Sequence, residues 1–106
     1  MFSKMHNDDT GPLGLVGHSS SDGKSFSQRL ADFGTVRYAG ENIAYGSRYP
    51  LQVLLNLLID DGVTSRGHRK NLLSTNYLIG GLATGYHSIY TTMTTMDFAQ
   101  SCVRTA

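Results

Sequence analysis

The spacing of apolar residues predicts an uneven chain in which helices precede paired strands. Residues 1–17 carry no apolar period, and Asn7, Asp8, Asp9, Thr10, Gly11 and Pro12 form a dense turn signal, so this stretch is expected to be irregular. From Ser25 the pattern becomes helical. Phe26, Leu30 and Phe33 share one face, Ser25 is suited to cap the start, and Gly34 is placed to end the helix in the left-handed conformation. Val36 to Tyr38 is β-branched and aromatic and reads as extended. The clearest helical period runs from Pro50 to Asp61, where Leu51, Leu54, Leu55, Leu58 and Ile59 recur and Val53 and Leu57 widen the apolar arc. Such a helix is expected to be largely buried, with Gln52, Asn56 and Asp60 as its one polar stripe, facing either solvent or a cleft. Pro50 suits its first turn and Gly62 follows its end.

A short segment, Ser65 to Leu73, leads to two stretches with strand character. Tyr77 to Thr84 and Ile89 to Ala99 are rich in threonine, aromatic and branched residues, and a hairpin turn is expected near Gly85 to Ser88. The Thr-Thr-Met echo over 91–96 is too brief for a repeat architecture. The order of elements argues for an α+β fold and against an alternating parallel one.

Composition narrows the reading. The 106 residues suit one domain; 40% are hydrophobic and 16% charged, which is enough to bury a core and unlike a disordered chain. A formal net charge of +1 provides no field for a nucleic-acid backbone, and the basic run Arg66 to Lys70 is short enough to be a solvated helix start, so no nucleic-acid partner is expected. No run approaches the roughly 20 apolar residues of a membrane-spanning helix, and the first residues lack the apolar centre of a signal peptide. A soluble chain without a membrane span is expected, either mature or incomplete. Cys102 is the only cysteine, which excludes an internal disulfide and leaves a free thiol or an intermolecular bridge.

Candidate chemistry gathers in three places. His18 lies among glycine and serines, in Gly17-His18-Ser19-Ser20, where an imidazole can bind a metal or move a proton. Alone it is equally a surface histidine. In Gly40-Glu41-Asn42-Ile43-Ala44-Tyr45-Gly46, glycines bracket a carboxylate and an amide and would let Glu41 turn inward or leave it in a solvated loop. Third, Asp60 and Asp61 close a helix whose C-terminal dipole favours cations, so a partner such as Arg66 or Arg69, or a bound metal, is expected nearby. Asp8 and Asp9 lack the alternating ligands and closing glutamate of a calcium loop.

The order and spacing of these places resemble the CAP superfamily, the cysteine-rich secretory proteins, venom antigens and plant pathogenesis-related proteins, in the form of a bacterial or protist SCP domain. Gly17-His18-Ser19 with Ser21-Asp22-Gly23 resembles the family's first histidine segment. Gly40-Glu41-Asn42-Ile43 is similar to its glutamate-asparagine signature, and Arg66-Gly67-His68-Arg69-Lys70-Asn71-Leu72 to its second histidine segment. Asp97-Phe98-Ala99 sits where that subgroup ends its last strand.

The resemblance covers roughly His18 to Ala99. It implies an α-β-α sandwich with a small antiparallel sheet, assigned to 18–106. The usual N-terminal helix is expected to be missing or truncated, because 1–17 is short and patterned as an irregular segment. It further implies a cleft formed by His18, Glu41, Asn42, Asp60 and His68, with Asp60 standing where better-known members carry glutamate and Asp61 as its rival. His18, Glu41 and His68 would be metal ligands, with zinc the natural ion. The function so implied is that of a secreted, extracellular binding module for a protein, lipid or glycan, with no residue assigned a catalytic role. The alternatives are a structural subunit of a homo-oligomer or larger assembly, favoured by a sheet face left uncovered, and a metal-dependent hydrolase with Glu41 as general base.

Overall fold

The computed structural model describes residues 2–47, 49–59 and 67–104. Four helices and three strands follow in the order α1 (Phe2–Thr10), α2 (Phe26–Phe33), β1 (Gly34–Tyr45), α3 (Pro50–Ile59), α4 (Gly67–Leu73), β2 (Ile79–His87) and β3 (Thr91–Arg104). The expected α+β class is borne out. The strands form one antiparallel sheet in the order β1-β3-β2, so the last strand to be made is the central one.

Alternation along β3 gives the sheet two different faces. Met93, Thr95 and Asp97 meet α1, whereas Met96 and Phe98 join Val53, Leu57, Ala44 and Leu72 in an apolar cluster beneath α3 and α4. Register carries the division across the sheet: Glu41 and Gly81 both oppose Asp97, and Asn42 and Leu82 both oppose Met96.

Residues 2–10, expected to be irregular, are a helix, so that where an N-terminal helix was expected to be missing or truncated a short one of 9 residues packs on the sheet. The stripe that α1 buries is Ser3, His6, Asn7 and Thr10, which has helical spacing but polar chemistry, so a search for apolar period passes over it. Ser3, Asn7 and Thr10 bond to the sheet or to their own helix, and His6 to the Gly17 carbonyl. Ser3 Oγ donates to Asp97 Oδ2 at 2.7 Å and Asn7 Nδ2 to the Ala83 carbonyl at 2.8 Å. Thr95 Oγ1 donates to Asn7 Oδ1 at 2.5 Å, and Thr10 Oγ1 to the His6 carbonyl at 2.9 Å. Small residues make the approach close: a Cβ on Gly11 would lie 2.0 Å from the Tyr86 carbonyl oxygen, and one on Gly85 3.3 Å from Asn7 Cβ. Asp8 pairs with Lys4, and Asp9 accepts the Ser21 backbone N–H.

Helix α2 starts where its sequence says it should. Ser25 and Gln28 form a reciprocal capping box, which satisfies two of the otherwise unpaired N-terminal donors. Its end differs from expectation. Gly34 is extended, with φ 174°, and passes directly into β1. The strand continues through the glutamate-asparagine segment, which is therefore neither loop nor turn until Gly46, where φ is 88°.

The long leucine helix is less buried than its composition predicts. Among the described side chains of α3, Val53 and Leu57 are buried, one turn apart, while Leu51, Leu54 and Leu55 face solvent. Gln52 and Asn56 bond one another on the exposed surface, 2.7 Å apart, so that stripe faces solvent as far as it is described. Asp60, Asp61 and Arg66 lie outside the described residues. At the end of α3, Arg69 Nε donates to the Leu58 carbonyl at 2.5 Å, a cation meeting the negative end of the helix.

The β2–β3 hairpin turns at 88–90, later than the expected 85–88. His87 sets this turn from a buried position. Its Nδ1 accepts the backbone N–H groups of Ile89 and Tyr90 at 3.2 and 3.0 Å, and its Nε2 donates to the Leu15 carbonyl at 2.9 Å. Tyr45 and Tyr90 pack against the ring.

Candidate functional site

Glu41 is the centre of the chemistry. Its position in β1 turns it towards α1 and α2, where the carboxylate is 1% exposed, and a charge so deep needs partners. Arg29 of α2 supplies the first. Its Nη1 and Nη2 donate to Glu41 Oε1 and Oε2 at 2.9 and 3.0 Å, the bidentate fork for which a guanidinium is shaped. The same Nη1 donates to the His18 carbonyl at 2.7 Å.

His18 supplies the second. Its Nδ1 lies 2.8 Å from Glu41 Oε1, and because a carboxylate can only accept, Nδ1 is the protonated nitrogen and Nε2 is left as the outward atom. Half of the His18 side chain is exposed. The segment that delivers it is pinned at three points. His6 Nε2 donates to the Gly17 carbonyl at 2.9 Å, the Gly17 N–H donates to Tyr45 Oη at 2.9 Å, and His87 holds Leu15. Burial lowers the pKa of His6, consistent with a neutral ring in this bracing role.

Asp97 faces Glu41 across the β1–β3 ladder, and the two carboxyls are hydrogen-bonded to each other. Burial works against charge on Glu41, but hydrogen bonds from His18, Asp97 and Arg29 outweigh it and hold this carboxyl down at about 2. Asp97 is pushed the other way, to about 8, by burial and then by the adjacent Glu41. The pair titrates as a unit that keeps one proton through the neutral range. Asp97 Oδ2 accepts from Ser3, and its Oδ1 is buried.

Asn42, the next residue, points through the opposite face of the strand. It is fully buried, its Nδ2 donating to the His68 carbonyl at 3.0 Å and its Oδ1 accepting from Asn71 Nδ2 at 2.8 Å. Gly40 permits the close packing here, since a Cβ would lie 2.5 Å from Tyr77 Oη.

The four expected cleft residues that are described are thus distributed over two faces. His18 and Glu41 meet directly; Asn42 meets the backbone of His68; Asp60 is outside the described residues. Both Glu41 oxygens are engaged by Arg29, one of them by His18 as well, and among the described residues no three His, Cys, Asp or Glu side chains come together as a metal-holding group. Of the three residues expected as zinc ligands, His18 and Glu41 meet, and His68 is tied to the strand through its backbone carbonyl on Asn42. Glu41 and Asn42 are consecutive in a strand, so the segments they hold lie on opposite sides of it.

Arg29 and Asp97 are the residues that sequence reading missed. A signal existed for each. Arg29 interrupts the apolar face of Phe26, Leu30 and Phe33, and Asp97 is the single acid in β3.

Two hollows flank the cluster. A polar one of about 260 Å³ is bordered by Arg29, His6, Ser20 and Asp32, and an apolar one of about 230 Å³ is walled by Phe2, Leu30, Phe33, Ile79 and Phe98 and reaches Asp97. No helix among the described residues is long and apolar enough to cross a membrane. Comparison with protein-family models, with curated proteins and with solved structures finds no match.

Proposed function

We propose that this chain is an extracellular binding module of the CAP type, in which the His18–Glu41–Arg29 cluster marks the ligand-binding face. One observation carries the reading. The three sequence segments that resemble that family meet at two adjacent positions of β1, through residues 23 to 29 positions apart: Glu41 holds His18, and Asn42 holds His68 and Asn71. The helices on both faces of a small sheet support the corresponding sandwich.

Among a lipid, a glycan and a protein, the lipid has the most support. The apolar hollow ends at a carboxyl that retains its proton, so an aliphatic chain lying there meets no fixed charge. The test is an amide NMR titration of the full chain with oleate and, separately, with N-acetylglucosamine oligomers. Oleate is expected to move signals of 79–81 and 97–99. Shifts confined to 18–24 with the oligomers would transfer the reading to a glycan, and silence with both, accompanied by His18-dependent turnover of an ester panel, would replace it with a hydrolase.

A second reading, a subunit of a homo-oligomer, is favoured by the solvent-facing Leu51, Leu54 and Leu55. Apolar surface is exposed on α3 and also on β2, at Ile79, Leu82 and Tyr86. Sedimentation of the full chain before and after Leu51→Gln and Leu55→Gln distinguishes a multimer held by the α3 face from a monomer.

A further inference from the structure

The site contains a permanent positive charge that no ligand has to bring. Besides its fork on Glu41 and its bond to the His18 carbonyl, the Arg29 guanidinium lies 4.7 Å from the ring centroid of Phe2 and 5.7 Å from that of Phe26. Its side chain is 8% exposed. Two aromatic faces and three hydrogen bonds hold the guanidinium in place. A divalent ion on Glu41 would have to displace this guanidinium or share a carboxylate with it at a few ångströms, in surroundings that screen poorly.

We infer that Arg29 is the resident cation of the site, that it keeps divalent metal ions from His18 and Glu41, and that it positions the His18 ring by holding both the Glu41 carboxylate and the His18 carbonyl. The functional-site assignment is the one proposed above, but the experiment uses no organic ligand. A metal-binding wild type would overturn this inference and leave the lipid reading standing, whereas a failed oleate titration would leave this inference untouched.

The measurement is zinc titration calorimetry on the full chain, with metal content after dialysis and melting in zinc against melting in chelator. The wild type is expected to retain no stoichiometric zinc and to melt identically in both, because an ion that binds the folded state must raise its melting point. One zinc per chain, lost on His18→Ala, overturns the inference. Positioning is read separately from the long-range nitrogen–proton correlations of the His18 ring. The Nδ1-protonated pattern is expected in the wild type and in Arg29→Lys, with mixed tautomers in Arg29→Gln, which keeps polar length but loses the charge. An unchanged ring pattern in Arg29→Gln would remove the positioning role. Where Arg29→Gln folds, its zinc affinity is expected to exceed that of the wild type by about tenfold, the scale on which groups behind a ligand tune a metal site.

Discussion

Glu41 and Asn42 are neighbours in one strand, yet they anchor the protein in different ways. On the Glu41 face, a buried charge is compensated by an arginine, a histidine and a protonated aspartate drawn from three other segments. On the Asn42 face, one neutral amide bonds the backbone of His68 and the side chain of Asn71, both in α4, beside the apolar cluster of Val53, Leu57 and Met96. The first arrangement depends on every partner being present, since a charge left alone in the interior is far more costly than an amide left alone. The second asks for geometry and little else.

The largest test of this contrast is Arg29→Ala. Leaving Glu41 ionised without its fork is expected to cost about 3–5 kcal/mol in urea denaturation, and the double variant Arg29→Met with Glu41→Leu should recover much of the loss. A loss no greater than that of an ordinary surface substitution would mean that the ion pair is not formed. On the other face, Asn42→Ala removes the amide that bridges His68 and Asn71 and is expected to cost about 1–3 kcal/mol, the range for an unsatisfied buried polar group.

Acidity separates the faces next. Asp97 is raised, so between its unfolded value and about 8 the unfolded chain has released a proton that the folded chain keeps, and stability falls as pH rises. Glu41 is lowered, so its contribution is present above its unfolded value and is lost as pH falls towards about 2. Together they place the optimum for this pair near pH 4, within the ordinary carboxyl range. Asp97→Asn, which mimics the protonated acid, is expected to flatten the alkaline side of the profile, and a profile unchanged from the wild type would show that Asp97 is ionised when folded. The smallest effect belongs to His18→Ala. The ring is half exposed, and the change is expected to stay within about 1 kcal/mol of the wild type; a larger loss would make His18 a structural residue.

Much of the fold was readable because several elements obey short-range rules. The cap at Ser25, the run from Pro50 and the β-branched stretches of β1 and β3 are local signals, and each forms where its spacing places it. Helix α1 was not readable, because its buried stripe is Ser3, His6, Asn7 and Thr10, whose burial is favourable only against the carbonyls and side chains that β2 and β3 present. Burial of α3 was overestimated for the complementary reason: apolar residues express a tendency to be covered, and what packs against the helix decides which of them are.

The candidate site divides in the same way. His18, Glu41, Asn42 and His68 could be singled out from residue type and setting, and the pairing of His18 with Glu41 follows that expectation. Arg29 could not be assigned as the partner of Glu41 from a helix twelve residues away, nor could Asp97 be matched to Glu41 before the register of β1 on β3 was known. Residue order alone determined the α+β character, the positions of most helices and strands, and the identity of the chemically distinctive side chains, because these depend on neighbours a few residues apart. Which side chains meet, which face of β1 each occupies and where the proton of the carboxyl pair resides were decided only by tertiary structure. Those properties arise from distances and burial between segments that the chain keeps far apart until it folds.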